Sequence, residues 1–355
     1  MLGLPGKSAF AFFMHRPLRT TSLVLALSGL LPLVVGAQPL PPGDAMQALN
    51  PAVDQAALVR EVAAATGKDP AALNALLDSA QVKQSIIDAM TRPAEAKPWS
   101  AYRPIFMNPE RIAEGVVFYR QHRALLDQIG QQYGVPPQYI VAIIGVETNY
   151  GANTGNYRVL DALYSLAFGY PKRAPFFAGE LAQLFALGQD EHIDIATLKG
   201  SYAGAMGLGQ FMPSSYRLWG KDGDGDGKRD LIADKDDVFA SIANYFVVHG
   251  WQRGGPVVAR ASRDAGAGDF IPDSIDPVYP LAALAQRGYR PQQGEPVPSD
   301  ASQGATLVTL DGDAGKEYWL GYRNFYVITR YNHSPMYAMA VQQLAQAIRA
   351  GSGGP

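Results

Sequence analysis

A single carboxylate, Glu147, follows an uncharged and largely apolar run near the middle of the chain. The run covers residues 139–146 (YIVAIIGV), and the chain becomes polar directly afterwards at Thr148 and Asn149. Such a run predicts a buried helix. A carboxyl group at the end of a buried helix is poorly solvated, which disfavours its charged form and raises its pKa toward values useful for donating a proton at neutral pH. This stretch alone leaves two hypotheses open: Glu147 is a general acid, or it caps the helix or forms a structural ion pair.

Further carboxylates alternate with glycines in the segment DGDGDGKRD. Asp222, Asp224 and Asp226 fill the first, third and fifth positions of an EF-hand-like loop, and Gly227 fills the sixth, where the chain turns sharply. Lys228 supplies a backbone carbonyl at the seventh position. Because Ca²⁺ prefers hard oxygen ligands from a sharply turned chain, we expect a structural Ca²⁺ or Na⁺ here. The alternative is a solvated Asp-Gly turn.

The far end of this loop departs from the EF-hand pattern. Its twelfth position is Ala233, where a bidentate Glu belongs. The distal ligand must therefore come from Asp234, Asp236 or Asp237, and the last two lie at the start of the next predicted helix.

The other polar residues form no motif of a different enzyme class. The glycines of GAMGLG lack the preceding strand and the Lys-Ser/Thr pair of a phosphate loop, and Ser214 and Ser215 lie in no GxSxG context. A net charge of −2 provides no basic surface, so we expect no nucleic-acid partner. The four histidines beyond residue 100 lack the HxxxH or HExxH spacing of a metal site; they are His122, His192, His249 and His333.

The N-terminus predicts export. Basic residues precede an apolar stretch at residues 23–35, and VGA at residues 35–37 offers the small side chains that a signal peptidase recognises. We expect a signal peptide over residues 1–37 and a flexible Pro-rich leader over residues 38–44. An uncleaved anchor and a true start at Met14 are the alternatives. The chain contains no cysteine, which excludes disulfides and a lipid-modified Cys, so we expect a soluble mature protein without a membrane anchor.

Hydrophobic periodicity divides the mature chain into a helical part and a small β part. Apolar residues at helical spacing predict a helical domain over residues 45–255, with the acidic loop at residues 222–237. Short strand patterns and turn residues predict a β subdomain over residues 256–325. The segment 326–349 ends in a helix that returns to the helical domain, and residues 350–355 form a disordered tail. The predicted fold class is α+β, predominantly α, with a small inserted antiparallel β subdomain.

The same patterns predict the individual elements. We expect two or three short helices over residues 45–90, an extended strap over residues 92–109 because of its prolines, and one helix over residues 109–132. Further helices are predicted at residues 157–168, 178–189, 281–286 and 337–349, and strands at 257–260 and 305–310.

Six segments resemble, in this order, the lytic murein transglycosylase B family of peptidoglycan-cleaving enzymes. They are VAIIGVETNYG, DALYSLAFGYPKRAPFF, KGSYAGAMGLGQFMPSSY, the acidic loop, ANYFVVHGW and NFYVITRYNHSPMYAMAV. Any one segment is a weak signal, whereas six in one order are specific. The resemblance covers residues 99–341.

The resemblance implies a lysozyme-like helical core and a cleavage, without water, of the β-1,4 bond between N-acetylmuramic acid and N-acetylglucosamine. Glu147 falls at the family's catalytic glutamate. In that chemistry one carboxyl protonates the glycosidic oxygen and then accepts the proton of the muramoyl C6 hydroxyl, which closes on C1 to leave a 1,6-anhydro sugar. The sequence offers one such Glu without an obvious second carboxylate beside it, whereas ordinary glycosidases use a pair. No cofactor for the chemistry is implied.

The same residue matching implies a set of substrate-binding positions. Ser201 and Gln210 resemble polar groups near the scissile sugar, and Lys172 and Arg173 resemble contacts to the glycan or its peptide. Composition alone favours ordinary core packing for the aromatic residues, whereas the resemblance places four positions along the groove: Tyr102, Tyr245, Tyr331 and Asn332.

Two departures from the family's pattern bear on these expectations. The membrane-attached members carry an acylated N-terminal Cys, which this chain lacks, and this favours a soluble periplasmic form. The acidic loop is one residue longer than the family's between Asp226 and Asp237, which leaves Asp236 and Asp237 as alternatives for the distal ligand. We expect peptidoglycan strands as the partner, with cell-wall synthesis enzymes as further candidates, and a monomer.

Two alternative functions stay open at this point. A muramidase of the goose-lysozyme kind would hydrolyse the same bond and would need a second carboxylate to hold water; the candidates are Asp161, Glu180 and Asp190. A peptidoglycan-binding scaffold would keep the fold with a silent acid. The sequence decides neither between cleavage at strand ends and internal cleavage nor between bare and peptide-bearing glycan.

Overall fold

A computed structural model describes residues 53–91, 97–300 and 302–353 of the 355-residue chain. The predicted signal peptide and leader lie outside these ranges. The described part is predominantly helical with small antiparallel sheets, which confirms the predicted fold class. None of its helices is both long and apolar enough to cross a membrane.

Fourteen helices and six strands make up the described part. The helices are α1 (Gln55–Thr66), α2 (Pro70–Asp78), α3 (Gln84–Thr91), α4 (Trp99–Phe106), α5 (Pro109–Gln121), α6 (Arg123–Tyr133), α7 (Pro137–Thr148), α8 (Val159–Gly169), α9 (Ala174–Asp190), α10 (Pro213–Trp219), α11 (Lys235–Val248), α12 (Leu281–Gln286), α13 (Arg323–Tyr331) and α14 (Pro335–Ser352). The strands are β1 (Tyr157–Arg158), β2 (Lys199–Gly200), β3 (Val258–Arg263), β4 (Tyr289–Pro291), β5 (Thr306–Gly312) and β6 (Gly315–Gly321). A 3₁₀ turn, Pro171–Arg173, joins α8 to α9.

Helix α7 lies in the middle of the helical part. Residues 139–146 are all buried, because a helix that is apolar on every side is stable only inside a core. Pro137 occupies the first turn, where the N–H that proline lacks would have no partner within the helix. Helices α5, α6, α11 and α14 pack against α7. Neighbouring helices therefore fix the end of α7 that carries Glu147.

The β part consists mainly of a four-stranded antiparallel sheet. Its strand order is β4-β3-β6-β5, so that β5 lies at one edge. Leu307 and Leu320 belong to a small core of their own on one face, while Val308 and Leu310 on the other face join the core of the helical part. The sheet is thus attached to the helical part through an apolar face.

The structure corrects two predictions between residues 92 and 132. The segment 109–132, predicted as one helix, forms α5 and α6, with a break at His122 that lets its ring pack against Phe118 and Phe239. Residues 99–106 of the predicted strap form helix α4, because Trp99 and Phe106 bury one face of it.

The C-terminal end also differs from the prediction. Residues 350–352, assigned from the sequence to a disordered tail, belong to α14, which ends at Gly353. Gly353 has a φ of 66°, the left-handed conformation with which glycine commonly ends a helix. The prediction was wrong here because the Gly/Ser composition indicates flexibility, whereas α14 packs along α5 and α7.

Candidate active site

Glu147 lies in the last turn of α7, at a helix end with an unusual backbone. The next two residues after Thr148, Asn149 and Tyr150, have φ values of 51° and 57°, which non-glycine residues adopt only when their surroundings enforce it. The N–H of Asn149 donates to the Gly145 carbonyl at 3.2 Å. The helix therefore stops abruptly one residue after Glu147.

Tyr150 fills a slot made by glycines on two neighbouring helices. Its hydroxyl donates to the carbonyl of Arg111 at 2.9 Å. A Cβ atom at Gly145 of α7 would lie 2.6 Å from the Tyr150 hydroxyl oxygen, and one at Gly115 of α5 would lie 2.4 Å from it. Since a Cβ carbon does not pack that closely against an oxygen to which it is not bonded, both positions require glycine for this arrangement. The ring thereby holds the end of α7 against α5.

Thr148 connects the same helix end to the glycine-rich segment that follows β2. Its hydroxyl is within hydrogen-bond distance of the carbonyls of Ile144, at 3.0 Å, and Leu208, at 3.1 Å. It also accepts the N–H of Gly151 at 3.1 Å. The backbone on either side of Glu147 is thus fixed by side chains.

The carboxyl group of Glu147 has one side-chain hydrogen-bond partner among the described residues, Tyr337 of α14. The Tyr337 hydroxyl donates to Oε1 at 2.5 Å. Burial raises the pKa of Glu147 to about 7, and this hydrogen bond opposes part of the rise because it stabilises the carboxylate. Conversely, burial and the nearby Glu147 charge raise the pKa of Tyr337 well above its ordinary value, so the phenol keeps its proton.

Glu147 lines a cavity with mostly apolar walls. Among the described residues that line it, Glu147 is the only carboxylate and Arg173 the only cation. The other lining residues are Met90, Phe176, Phe177, Ala203, Ala205, Gln210, Phe211, Met212, Ser215, Tyr245, Tyr331 and Asn332. The cavity therefore brings five of the eight predicted substrate-binding residues together with Glu147: Arg173, Gln210, Tyr245, Tyr331 and Asn332.

The two lining tyrosines are held by their hydroxyl groups. Tyr331 donates to the carbonyl of Gly209 at 2.7 Å, and Tyr245 donates to the carbonyl of Arg330 at 2.6 Å. The Tyr245 ring also stacks on His249 with a centroid distance of 4.0 Å. Both rings are thus fixed in place as aromatic parts of the cavity wall.

Gln210 and Arg173 have their own constraints. Gln210 has a φ of 50°, and its amide nitrogen donates to the carbonyls of Thr154, at 3.1 Å, and Gly207, at 2.9 Å. The Arg173 guanidinium lies over the Phe176 ring, 4.2 Å from its centroid. This cation–π contact holds the guanidinium at the wall of the cavity.

The remaining three predicted residues are not among those lining the cavity. Ser201 is buried, and its hydroxyl accepts the Ala205 N–H at 3.0 Å. Lys172 is exposed in the 3₁₀ turn beside Arg173. Burial raises the pKa of the Tyr102 hydroxyl on α4, and the nearby charge of Glu147 raises it further.

The three candidates for a second carboxylate make contacts elsewhere. Asp161 is paired with Lys83 at 2.9 Å and with Arg158 at 3.3 Å. None of the three lines the cavity that Glu147 faces. Glu180 accepts the Ser214 hydroxyl at 2.6 Å, and Asp190 is paired with Arg217 at 2.8 Å.

Three carboxylates from the two ends of the acidic loop lie close together. Asp222, Asp224 and Asp237 each offer a carboxylate oxygen within 4.8 Å of the others. Asp237, at the start of α11, is buried and accepts the N–H groups of Gly223, at 2.6 Å, and Asp230, at 2.5 Å. These hard oxygens are a donor set that suits Ca²⁺.

The other predicted ligands are less central in this loop. The carboxylate of Asp226 accepts the N–H of Lys228 at 2.8 Å, as in a local turn, and Asp226 and Asp236 are not part of the converging group among the described residues. Asp234 caps α11 by accepting the N–H of Asp236 at 2.7 Å. The geometry therefore favours Asp237 over Asp234 and Asp236 as the distal carboxylate.

Sequence reasoning did not single out Tyr337, which the structure places directly on the catalytic candidate. The residue is 190 positions away from Glu147, so no local pattern could connect the two. It does lie in the last of the six segments that carry the family resemblance. Phe176, Phe211 and Met212 lie in those segments as well, whereas Met90 of α3 precedes them.

Comparisons with known proteins identify relatives of this chain. A family model described as the transglycosylase SLT domain matches residues 52–346. The membrane-bound lytic murein transglycosylase B of Escherichia coli (strain K12) is 44% identical over 292 residues, which cover 79% of this chain and 79% of that protein.

Solved structures of lytic transglycosylases share the fold. Soluble lytic transglycosylase SltB1 from Pseudomonas aeruginosa matches with 45% identity and a TM-score of 0.77, covering 84% of this chain and 99% of that one. Escherichia coli Slt35 in complex with calcium matches with 42% identity and a TM-score of 0.76, covering 84% and 93%. SltB3 from Pseudomonas aeruginosa, in complex with NAG-anhNAM-pentapeptide, matches with 30% identity and a TM-score of 0.72, covering 84% and 79%.

Proposed function

The chain belongs to the transglycosylase SLT domain family, and we propose that it is a lytic transglycosylase of peptidoglycan in which Glu147 acts alone as acid and base. It cleaves the β-1,4 bond between N-acetylmuramic acid and N-acetylglucosamine and leaves a 1,6-anhydro sugar. One observation carries this proposal: Glu147 is the only carboxylate among the described residues that line the cavity, and its pKa is raised to about 7.

In the first step, protonated Glu147 donates its proton to the glycosidic oxygen while the bond from that oxygen to the muramoyl C1 breaks. Burial keeps much of the carboxyl population protonated at neutral pH, because the apolar walls disfavour the anion. With no second carboxylate in the described lining to act as a nucleophile, we assign the stabilisation of C1 to the substrate's own N-acetyl group.

In the second step, the Glu147 carboxylate accepts the proton of the muramoyl C6 hydroxyl while that oxygen bonds to C1. The carboxyl group ends in its starting state, and no water enters the balance. Between the two steps the group is an anion, which the hydroxyl of Tyr337 stabilises through its hydrogen bond to Oε1. Burial raises the pKa of Glu147 and the hydrogen bond from Tyr337 lowers it, and together they keep the carboxyl group near the pKa that both steps need.

We assign the glycan to the cavity around Glu147. Tyr245, Tyr331 and Asn332 form one side of it, and Arg173 and Gln210 add polar contacts. Tyr102 extends the groove beyond the lining residues, and Lys172 binds the glycan or its peptide at the outer rim. We assign a structural role to Ser201, whose hydroxyl accepts the Ala205 N–H and keeps the glycine-rich segment in place.

We assign a structural Ca²⁺ to the acidic loop. Asp222, Asp224 and Asp237 would hold it, together with the carbonyl of Lys228. When bound, the ion neutralises the clustered carboxylates and ties the loop to α11, and it supplies nothing to bond cleavage. The calcium complex of Slt35, which is 42% identical, supports this assignment.

We place the mature protein in the periplasm, where its substrate lies. The predicted signal peptide supports export, and we expect mass spectrometry of the secreted form to find Gln38 at the N-terminus. A mature protein that retains residues 23–35 would instead indicate a membrane anchor.

Product analysis tests the proposed reaction. Digestion of purified peptidoglycan should release muropeptides that end in anhydro-muramic acid, each lighter by one water than the hydrolysis product. Products with a reducing muramic acid would instead identify a muramidase.

The Glu147→Gln variant separates catalysis from a scaffold role. It should bind glycan and release no product. A wild-type protein that binds glycan without releasing any product would support the scaffold.

A further inference from the structure

A second pocket lies along the edge of the four-stranded sheet. It has a volume of about 470 Å³ and is lined by the edge strand β5, by the segment 269–275, by Lys316 and Tyr318 of β6 and by Tyr289 of β4. Residues 306–309 of β5 all line it. Because successive side chains of a strand point to opposite faces, a pocket that touches four consecutive residues reaches the strand edge as well as the sheet face that carries Tyr318.

The register of the sheet shows which backbone groups face this pocket. Gly312 pairs with Gly315 across a two-residue turn, so residues at even positions of β5 exchange hydrogen bonds with β6 and those at odd positions point outward. Ala305 confirms the alternation, since its N–H and C=O pair outward with Tyr279 at 2.8 and 3.0 Å. At the next exposed odd positions, Thr309 and Asp311, the outward N–H and C=O have no backbone partner within the described ranges.

Charged side chains surround this open edge. Lys316 of β6 and Asp311 lie opposite each other on the two strands, and Lys316 is within 3.4 Å of Asp269 across the pocket. All three are largely exposed, and all three line the pocket. An extended peptide that bears both carboxylate and amine groups matches such a set of unpaired backbone groups and opposite charges.

The pocket is close to the catalytic cavity. Asn332 lines the cavity of Glu147, and Pro335 lines the second pocket. Three residues of backbone span at most about 11 Å, whereas five extended residues span about 17 Å. A pentapeptide attached to a muramoyl residue in the cavity is therefore longer than the backbone that separates Asn332 from Pro335, where the second pocket begins.

From these observations we infer that the edge of β5 binds the stem peptide of the peptidoglycan substrate. The stem lies extended against the outward groups of Thr309 and Asp311, Lys316 binds one of its carboxylates, and Asp269 or Asp311 binds its amine. This inference rests on the proposed function, and it makes peptide-bearing glycan the preferred substrate.

The test compares peptide-bearing glycan with the same glycan stripped of its peptides by an amidase. Thr309→Pro removes one outward N–H without removing a bond to β6, and Thr309→Ala is the matched control that retains the N–H. For Thr309→Pro and for Lys316→Gln we expect kcat/KM on peptide-bearing glycan to fall about three- to tenfold, the effect of losing one hydrogen bond. Turnover of stripped glycan should stay unchanged, as should the melting temperature.

Several outcomes would overturn the inference. They are equal turnover of both glycans by the wild type, an equal loss on both glycans in the variants, or an equal loss in Thr309→Ala. Calorimetry with the Glu147→Gln variant adds a second readout, with disaccharide-pentapeptide, the bare disaccharide and an all-L peptide of the same charge as probes. Tight binding of the all-L peptide alone would point to a protein partner and reject the stem peptide. Failure of the proposed function would look different, since it would abolish anhydro products from either glycan.

Discussion

Replacing Tyr337 with Phe should shift the pH dependence of cleavage upward. The change removes the hydroxyl that donates to Glu147 Oε1 at 2.5 Å and keeps the ring. A hydrogen bond to a charged group contributes about 1.5–3 kcal/mol, and one pKa unit corresponds to about 1.4 kcal/mol. Loss of this bond should therefore raise the pKa of Glu147 by about one to two units above its value of about 7.

The direction of this shift follows from the protonation state of Glu147 at the start of the reaction. Because protonated Glu147 donates the first proton, kcat/KM falls as pH rises through its pKa. A higher pKa in Tyr337→Phe moves that alkaline limb to higher pH. The rate at the optimum should fall about tenfold, since the carboxylate formed between the two steps loses its stabilising donor.

The assay is the initial rate of anhydro-product release from purified peptidoglycan across pH. Tyr331→Phe is the matched control, because Tyr331 lines the same cavity but its hydroxyl donates to the Gly209 carbonyl, so the alkaline limb of this variant should move less. An alkaline limb that stays in place in Tyr337→Phe, or that moves to lower pH, would refute the reasoning.

Three further predictions concern stability. Glu147→Gln should stabilise the fold above pH 7 by up to about 3 kcal/mol. Folding raises the pKa of Glu147 from 4.5 to about 7, so the contribution of the wild-type carboxyl group to stability is fully present below pH 4.5 and is lost as the pH rises through 7. Equal melting temperatures of the two proteins at pH 8 would contradict this prediction. A calcium chelator should lower the melting temperature of the wild type but have little effect on Asp237→Asn, whose lost carboxylate belongs to the converging group; an unchanged wild-type melt would reject the ion. Gly145→Ala should destabilise by about 1–3 kcal/mol because its Cβ would lie 2.6 Å from the Tyr150 hydroxyl oxygen, whereas Gly179→Ala, which has open space around it, should be neutral or stabilising in urea unfolding.

Local patterns in the sequence were sufficient to find Glu147 and the helix that carries it. Eight uncharged residues in a row can be stable only inside a core, and the structure buries all of residues 139–146. The acidic loop was equally visible, because the alternation of Asp and Gly encodes the turn and places several carboxylates in it. The choice of the distal carboxylate was not visible, since it depends on how α11 meets the loop.

What the sequence could not provide arises from contacts between distant segments. Tyr337 reaches Glu147 across 190 residues, and only the packing of α14 against α7 brings them together. The slot for Tyr150 likewise needs Gly115 and Gly145 on different helices. The break at His122 escaped the periodicity because apolar residues continue at helical spacing on both sides of it. At this break the His122 ring packs against Phe239, which lies far along the chain.

The most direct test of the central claim is to digest peptidoglycan in water enriched in the heavy oxygen isotope and to weigh the released ends. If Glu147 acts alone as acid and then as base, the C6 oxygen of the sugar closes on C1, and the anhydro ends carry no heavy oxygen. Ends that exceed the mass of the anhydro ends by one molecule of isotope-labelled water would show that water attacks C1, and would contradict the account.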